Sequence, residues 1–371
     1  MKITAAVLDT IGAVGPFADT QPMRIAALDL APPRDGELLV KIDACGLCHS
    51  DLSVVNGDRP RPMPMAIGHE AAATVLESSP GSSFAPGDRV VLAFLPACGK
   101  CPTCASGQGY LCAAGAAANG AGLLMRGGSR LEENGHAVHH HMGVSAFATH
   151  AVIDERSAVK IPSDIAPEIA ALFGCAVLTG VGAVFNTAAV RPGESVALYG
   201  LGGVGLAALL GALAAGAQPV IAVDPVAAKR DLALELGATA AVHPDDAAAT
   251  IAALTNGGAD VAIESVGRAK VLADAYKSTR RGGRTITVGL PNPAEMLEIP
   301  AVSLVGDGKT LMGSYMGSSI PSRDIPRYIA LWRAGRLPVE RLLTSTSPLS
   351  DINHLLDELA SGRAIRQVML P

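Results

Sequence analysis

The run Gly200-Leu201-Gly202-Gly203-Val204-Gly205 constrains this chain more than any other feature. It follows the apolar stretch Ser195–Tyr199, opens a helical stretch, and is followed by Asp224, 19 residues beyond its last glycine and at the end of the next apolar run. Glycines at this spacing allow a tight turn from strand to helix and a close approach of pyrophosphate to the helix N-terminus, whose amides and dipole favour an anion. An acid about 20 residues on accepts hydrogen bonds from a ribose and repels a 2′-phosphate. A lone glycine motif could be a packing turn. With the strand before, the helix after and the acid at that distance, a dinucleotide-binding unit on a parallel sheet is expected, with NAD favoured over NADP.

The surrounding texture agrees. From about residue 178, short apolar strands (Glu194–Tyr199, Val220–Asp224, Asp260–Glu264, Thr285–Gly289) alternate with helical stretches, the pattern of βαβ units. The first third is β-rich instead, with strands at Leu38–Ile42, Ala72–Leu76 and Arg89–Ala93 that suit a small antiparallel barrel or sandwich. After about Gly317 come two amphipathic segments, Arg323–Ala334 and Ser350–Ala360, and a strand at Ile365–Met369, expected to rejoin the first domain. The 371 residues therefore read as an α/β protein of two domains. Ala113–Gly128, rich in Ala and Gly, is a loop or a poorly specified helix whose composition says nothing of function.

Charge and hydropathy exclude several partners. Lys plus Arg is 29 against Asp plus Glu of 34, without the basic stripe that nucleic acid or an anionic membrane would need. Ser195–Val223 runs 29 residues without a charge and is long enough to span a bilayer, but six glycines and Pro219 break it into strand, turn, helix and strand. Asp9 arrives before the apolar core of a signal peptide can form, so a cytoplasmic location is expected.

Six of the seven cysteines bear on metal. Cys98-x2-Cys101-x2-Cys104-x7-Cys112 can surround Zn²⁺ tetrahedrally within one short loop, with no position left for water, so this site reads as structural. Four reduced surface thiols or a redox pair are the alternatives. Cys48, His69 and Cys175 form a second possible set, two thiolates and an imidazole with a fourth position open for water or substrate. Their separations of 21 and 106 residues carry no metal pattern, and on spacing alone two buried cysteines and a core histidine are favoured.

Taken together, Gly46-Leu47-Cys48-His49-Ser50-Asp51, Gly68-His69-Glu70, Pro86-Gly87-Asp88-Arg89-Val90, the four-Cys loop, Gly174-Cys175, Thr179-Gly180, the glycine turn and Ser361–Arg366 resemble the zinc-dependent medium-chain alcohol dehydrogenases over nearly the whole chain. The resemblance implies a GroES-like catalytic domain (1–177 and 317–371, with its zinc loop at 96–113) and an inserted Rossmann domain (178–316). It implies two zinc ions per chain: a catalytic one on Cys48, His69 and Cys175, with Glu70 beside it as an alternate ligand, and a structural one on Cys98, Cys101, Cys104 and Cys112. Cys45 matches no ligand position. Asp51 would orient His69, and Ser50 would take the alcohol proton. His49, Lys229 and Arg366 would contact NAD alongside Gly200, Gly202, Gly203, Val204, Gly205 and Asp224. Phe94, His141, Met142, Leu290 and Tyr315 would line an apolar pocket with a polar edge, suited to an aromatic or medium-length primary alcohol.

Two departures bear on the chemistry. Ser53 stands where many members carry the His that passes the proton to solvent, so the final base is unassigned. Ala116 and Arg59 replace an Arg and an Asp of glutathione-dependent members, which disfavours a glutathione adduct. A zinc polyol dehydrogenase, a formaldehyde dehydrogenase acting on another thiol adduct such as that of mycothiol, and a zinc- and NAD-binding protein without turnover remain as alternatives. The group His136, His139, His140, His141 is expected to be a solvated or pocket-lining segment, since consecutive histidines cannot all face one ion. The 28 residues between Cys112 and His141 match the loop length of dimeric members, so a homodimer is expected.

Overall fold

The computed structural model describes all residues from Met1 to Pro371. The chain divides into two compact units, one of Met1–Cys175, Ile320–Pro326 and Leu343–Pro371, the other of Ala176–Ser319 and Arg327–Leu342. Arg327–Leu342, placed with the first domain by the sequence reading, thus belongs to the second unit. There Tyr328 is buried and its hydroxyl accepts a hydrogen bond from Asn186 Nδ2.

The first unit joins a closed barrel to a seven-stranded sheet. The barrel takes Lys2–Leu8, Met23–Leu30, Leu131–Glu133, His136–His140 and Met65–Ala66 in that order. The sheet is ordered Ala158–Lys160, Arg89–Leu92, Ala71–Ser78, Glu37–Leu47, Arg366–Leu370, Leu343–Pro348, with His150–Asp154 also paired to Glu37–Leu47. Glu37–Leu47 is buried along nearly its whole length because both its faces are covered, and two register shifts bend it where it pairs with Ala71–Ser78. The expectation of a purely antiparallel arrangement needs correction. Met65–Ala66 runs parallel to His139–His140, and Leu343–Pro348 parallel to Arg366–Leu370.

Beneath the sheet a core of Leu38, Val40, Ile42, Leu52, Val90 and Phe147 excludes water. An ion pair is buried beside this core: Arg130 Nε and Nη2 donate to the two Glu37 carboxylate oxygens at 2.9 and 2.6 Å. The guanidinium also donates to the carbonyls of Gly127 and Ser129, so the pair is satisfied on both sides. Removing either partner would strand a buried charge, a loss of about 3–5 kcal/mol.

The second unit is a six-stranded parallel sheet ordered Ala240–Val242, Val220–Val223, Val196–Tyr199, Ala259–Glu264, Thr279–Thr287, Thr310–Gly313. Val196–Tyr199 and Val220–Val223 are continuously apolar and buried, as parallel strands covered on both faces must be, while Ala259–Glu264 carries Asp260 near its start and Glu264 at its end. The uncharged stretch from Ser195 becomes strand, helix Gly203–Ala214 and strand, and no single helix is long and apolar enough to cross a membrane. Strand order reverses between Val196–Tyr199 and Ala259–Glu264, and in such sheets ligands bind at the carboxyl ends of the strands at that point.

Candidate functional site

Three elements of the first unit converge on Cys48, His69 and Cys175. Cys48 caps the helix His49–Val55, His69 lies between Met65–Ala66 and Ala71–Ser78, and Cys175 follows the turn Leu172–Gly174. All three are buried, and their ligand atoms lie within 4.8 Å of one another. Asp51 joins two of them. Its Oδ2 accepts the Cys48 amide at 2.9 Å, completing the helix cap, while Oδ1 sits 2.9 Å from His69 Nδ1. A proton on Nδ1 leaves Nε2 as the basic nitrogen that faces the sulfurs.

The electrostatics of this cluster favour a cation. Cys48 is held well below the usual thiol range by the Cys175 S–H, against the pull of burial, with the Arg366 guanidinium and His69 adding to the effect. Burial opposes a proton on His69, yet Asp51 and Cys48 together raise it well above the ordinary imidazole value. The same pairing with Cys48, together with burial, keeps the Cys175 thiol protonated without a metal; losing that proton to an ion would give two thiolates and one imidazole, a set that suits Zn²⁺. Glu70 lies beside it. Its Oε1 accepts from Arg366 Nη1 at 3.1 Å, while Oε2 is buried without a partner. Arg366 itself is buried, donating also to the Leu47 carbonyl. His49 is exposed and Ser50 half-buried on the first turn of the same helix. Ser53 donates its hydroxyl to the His49 carbonyl at 2.9 Å, so that group is engaged with its own helix.

Cys98, Cys101, Cys104 and Cys112 likewise bring their sulfurs within 4.8 Å of one another. Cys98–Cys104 and Cys101–Cys112 are 3.9 and 4.0 Å apart, close to the ~3.8 Å edge of a tetrahedron with Zn–S bonds of ~2.3 Å. Backbone amides point at the sulfurs, Cys101 N–H to Cys98 and Cys98 N–H to Cys112. Cys101 is lowered to about 6, first by the Thr103 hydroxyl, while burial and then Cys101 push Cys104 up to about 12. The donor set therefore fits a structural zinc.

Phe94 and His141 flank the His69 ring edge-on, with centroids 5.5 and 5.6 Å away at 86° and 90°. Met142 follows His141 in a left-handed backbone conformation, φ 50°, which is uncommon for a side chain of its size. The other histidines separate as expected of non-ligands. His136 is exposed, His139 half-buried, and His140 is buried with Nε2 accepting the Arg130 amide. Burial pushes His140 down to about 3.

In the second unit Gly200 turns with φ 90° and Gly202 caps the helix Gly203–Ala214. A Cβ on Gly205 would overlap the Gly200 carbonyl, so no other residue fits there. Val204 stands in the first turn. Asp224, buried at the end of Val220–Val223, accepts the amides of Leu201 and Val226 at 2.7 and 2.8 Å. Lys229 is half-buried on the helix Ala227–Glu235; Leu290 is exposed after Thr279–Thr287 and Tyr315 half-buried after Thr310–Gly313.

Several residues escaped the sequence reading. Tyr199, Val223, Pro244, Ile251, Val266 and Val271 line a cavity of about 470 Å³ beside the glycine turn, each an ordinary apolar residue in sequence. Glu264 clamps the loop after its strand: Oε1 accepts the amides of Val266 and Gly267, and Oε2 the Thr287 hydroxyl. Arg230 donates to the backbone carbonyls of Asp224 and Pro225, a contact that no side-chain pattern in the sequence marks.

Known proteins share this fold and sequence pattern. The alcohol dehydrogenase GroES-like domain family matches residues 34–163 and the zinc-binding dehydrogenase family residues 203–333. An S-(hydroxymethyl)glutathione dehydrogenase of Synechocystis sp. is 37% identical over the full length of both chains. An NDMA-dependent alcohol dehydrogenase of Amycolatopsis methanolica is 38% identical, covering 100% of this chain and 99% of that one. The crystal structure of benzyl alcohol dehydrogenase from Acinetobacter calcoaceticus superimposes with a TM-score of 0.93 at 32% identity, covering 100% of this chain and 99% of that one. The chain belongs to the zinc-dependent medium-chain alcohol dehydrogenase family.

Proposed function

We propose that the enzyme interconverts a primary alcohol, aromatic or of medium length, and its aldehyde, with NAD as hydride acceptor and donor. The observation that carries this reading is the buried triad Cys48, His69 and Cys175, three donors drawn to one point with no fourth protein ligand among them. Zinc held there supplies Lewis acidity toward the alcohol or carbonyl oxygen. Cys48 and Cys175 provide the charge that holds it, and Asp51 fixes the His69 tautomer. Ser50 takes the alcohol proton, with Ser53 committed to the His49 carbonyl and therefore outside the path. Glu70 and Arg366 form a buried ion pair that tunes the charge around the sulfurs. The rings of Phe94 and His141 suit a flat substrate, as does the likeness to a benzyl alcohol dehydrogenase.

NAD is preferred over NADP because the Asp224 carboxylate, fixed by two amides at the end of its strand, repels a 2′-phosphate. Gly200, Gly202, Gly203, Val204 and Gly205 receive the pyrophosphate, with His49, Lys229 and Arg366 as further cofactor contacts, and Leu290, Tyr315 and Met142 are assigned to the substrate pocket. The catalytic domain comprises Met1–Cys175, Ile320–Pro326 and Leu343–Pro371, and the cofactor domain Ala176–Ser319 and Arg327–Leu342. Seven free thiols suit a reducing cytoplasm. A homodimer forms through the edge strand Thr310–Gly313, beside which Met296, Val302 and Val305 are 80%, 77% and 88% exposed.

A thiol adduct of formaldehyde is the second reading, favoured by the Synechocystis relative. Metal analysis with an NAD-coupled panel of benzyl alcohol, ethanol, a polyol and formaldehyde plus glutathione or mycothiol separates the two. Two zincs per chain and a kcat/KM for benzyl alcohol at least about tenfold above the rest support the first, since a pocket of matched shape gains roughly that much. Turnover confined to a thiol mixture supports the second, and two zincs without any turnover would leave a non-catalytic protein.

A further inference from the structure

The helix Ala113–Gly120 carries none of the residues assigned above, and among its small side chains only Asn119 can do more than fill space. Asn119 is 4% exposed. Its Nδ2 donates to the Phe94 carbonyl at 2.7 Å, while its Oδ1 is buried and accepts nothing. A buried acceptor left unmade carries its full desolvation penalty, so an apolar residue would be the better filler, and what the amide contributes is its one strong bond.

That bond ends a series. The helix lies along the segment Phe94–Cys98, running against it, and is fastened roughly once per turn. Cys112 Sγ, which also accepts the Gly115 amide at 3.4 Å, accepts the Cys98 amide at 3.2 Å. Gly115 lies so close to the Pro96 carbonyl that a Cβ would overlap it. Asn119 then meets the Phe94 carbonyl. Positions 112, 115 and 119 thus meet 98, 96 and 94, so the four-cysteine site grips one end of the segment and Asn119 the other. Beyond that end the Phe94 ring stands edge-on against His69. On its free side, Asn119 Oδ1 would lie 3.5 Å from a Cβ at Gly143, two residues after His141, the second ring that meets His69 edge-on.

We propose that Asn119 is a positioning residue for the substrate pocket, holding the Phe94 wall in place beside His69 and tying that wall to the four-cysteine site through the helix Ala113–Gly120. Loss of the bond loosens the fit of a ring-bearing substrate without touching the ligands of the ion. This rests on the reading that Phe94 lines the pocket of an alcohol dehydrogenase.

The test uses the full-length, zinc-loaded enzyme with Asn119→Asp, isosteric but without the N–H, and Asn119→Leu, without N–H or charge. In both, amide hydrogen exchange at Ala93–Leu95 is expected to rise about tenfold, the worth of one hydrogen bond, while exchange at Gly203–Ala214 stays as in the parent. KM for benzyl alcohol rises by a similar factor, whereas KM for ethanol and the zinc content hold. Unchanged exchange at Ala93–Leu95 overturns the proposal, as does faster exchange with KM unchanged, or an equal rise in KM for both alcohols. Should one variant fail to fold, the other decides. If the parent enzyme oxidises neither alcohol, the functional reading fails by itself, and the exchange data still decide whether Asn119 holds the Phe94 segment.

Discussion

The two clusters of the first unit that could hold a metal ion, one of four cysteines and one of Cys48, His69 and Cys175, are built by opposite means. Cys98, Cys101, Cys104 and Cys112 sit on one loop, three of them half-exposed. Cys48, His69 and Cys175 come from separate elements across most of the unit, and all are buried. A short loop with no core of its own is ordered by the ion it wraps, so metal there contributes to folding. The buried triad is already ordered by sheet and barrel. It can therefore hold an ion with one position open, because its geometry does not depend on a complete shell. On the function proposed above, stability would rest on the local site and reactivity on the dispersed one.

Removing a buried ligand should give the largest effect on rate. His69→Ala or Cys48→Ala is expected to lower kcat/KM by at least about 10³-fold, since several kcal/mol of charge stabilisation at the reacting oxygen goes with the ion. Metal analysis should fall from two zincs to one, and the thermal midpoint should move little. Loss of both metals would break the contrast.

Cys104→Ser attacks the other site. About 4 kcal/mol of folding free energy, a modest part of what structural zinc supplies, corresponds to a Tm lower by about 10 °C in a domain of this size. Calorimetry reads it, and the surviving protein should retain the buried zinc with turnover at low temperature. A Tm unchanged after loss of that metal would mean that the loop contributes nothing to the fold.

Asp51→Asn sharpens the comparison from within the triad. The carboxylate both caps the helix at Cys48 and meets His69 Nδ1, so its loss loosens two ligands at once. Zinc affinity at this site is expected to fall about 10- to 100-fold in a chelator competition, with the four-cysteine site unaffected.

The same contrast governs what could be read in the sequence. The four-cysteine loop is legible because its ligands are near neighbours in the chain, and the glycine turn because strand, turn, helix and Asp224 follow in order. The buried triad has no local pattern and was reachable only through family resemblance, since its proximity is created by the sheet and barrel. Arg130 and Glu37, 93 residues apart, left no trace for the same reason. Ala113–Gly120 is ambiguous in sequence because Gly115, Gly120 and the lack of an apolar face offset the helix preference of its alanines, while its start is set by the Cys112 sulfur accepting the Gly115 amide. The helix Pro321–Arg333 is amphipathic along its length and so gave no sign that the chain passes between units within it.

The smallest effect separates the centres by pH. His140 is buried, and its Nε2 accepts the Arg130 amide while the ring is neutral; burial, with the Arg130 charge adding, pushes it down to about 3. Between about 6.5 and 3 the unfolded chain binds a proton that the folded chain refuses, so stability falls as pH drops through that window. At pH 5 the loss is about 2 kcal/mol, from ~1.5 units at ~1.36 kcal/mol each. It falls on the barrel strand His136–His140 next to His141, not on the four-cysteine loop. His140→Gln keeps an acceptor without titrating, and should flatten the decline of Tm between pH 7 and 5. A slope as steep as that of the parent would place the acid sensitivity in the thiolates of the exposed loop instead, and the two centres would then differ in where acid enters and not only in how they are built.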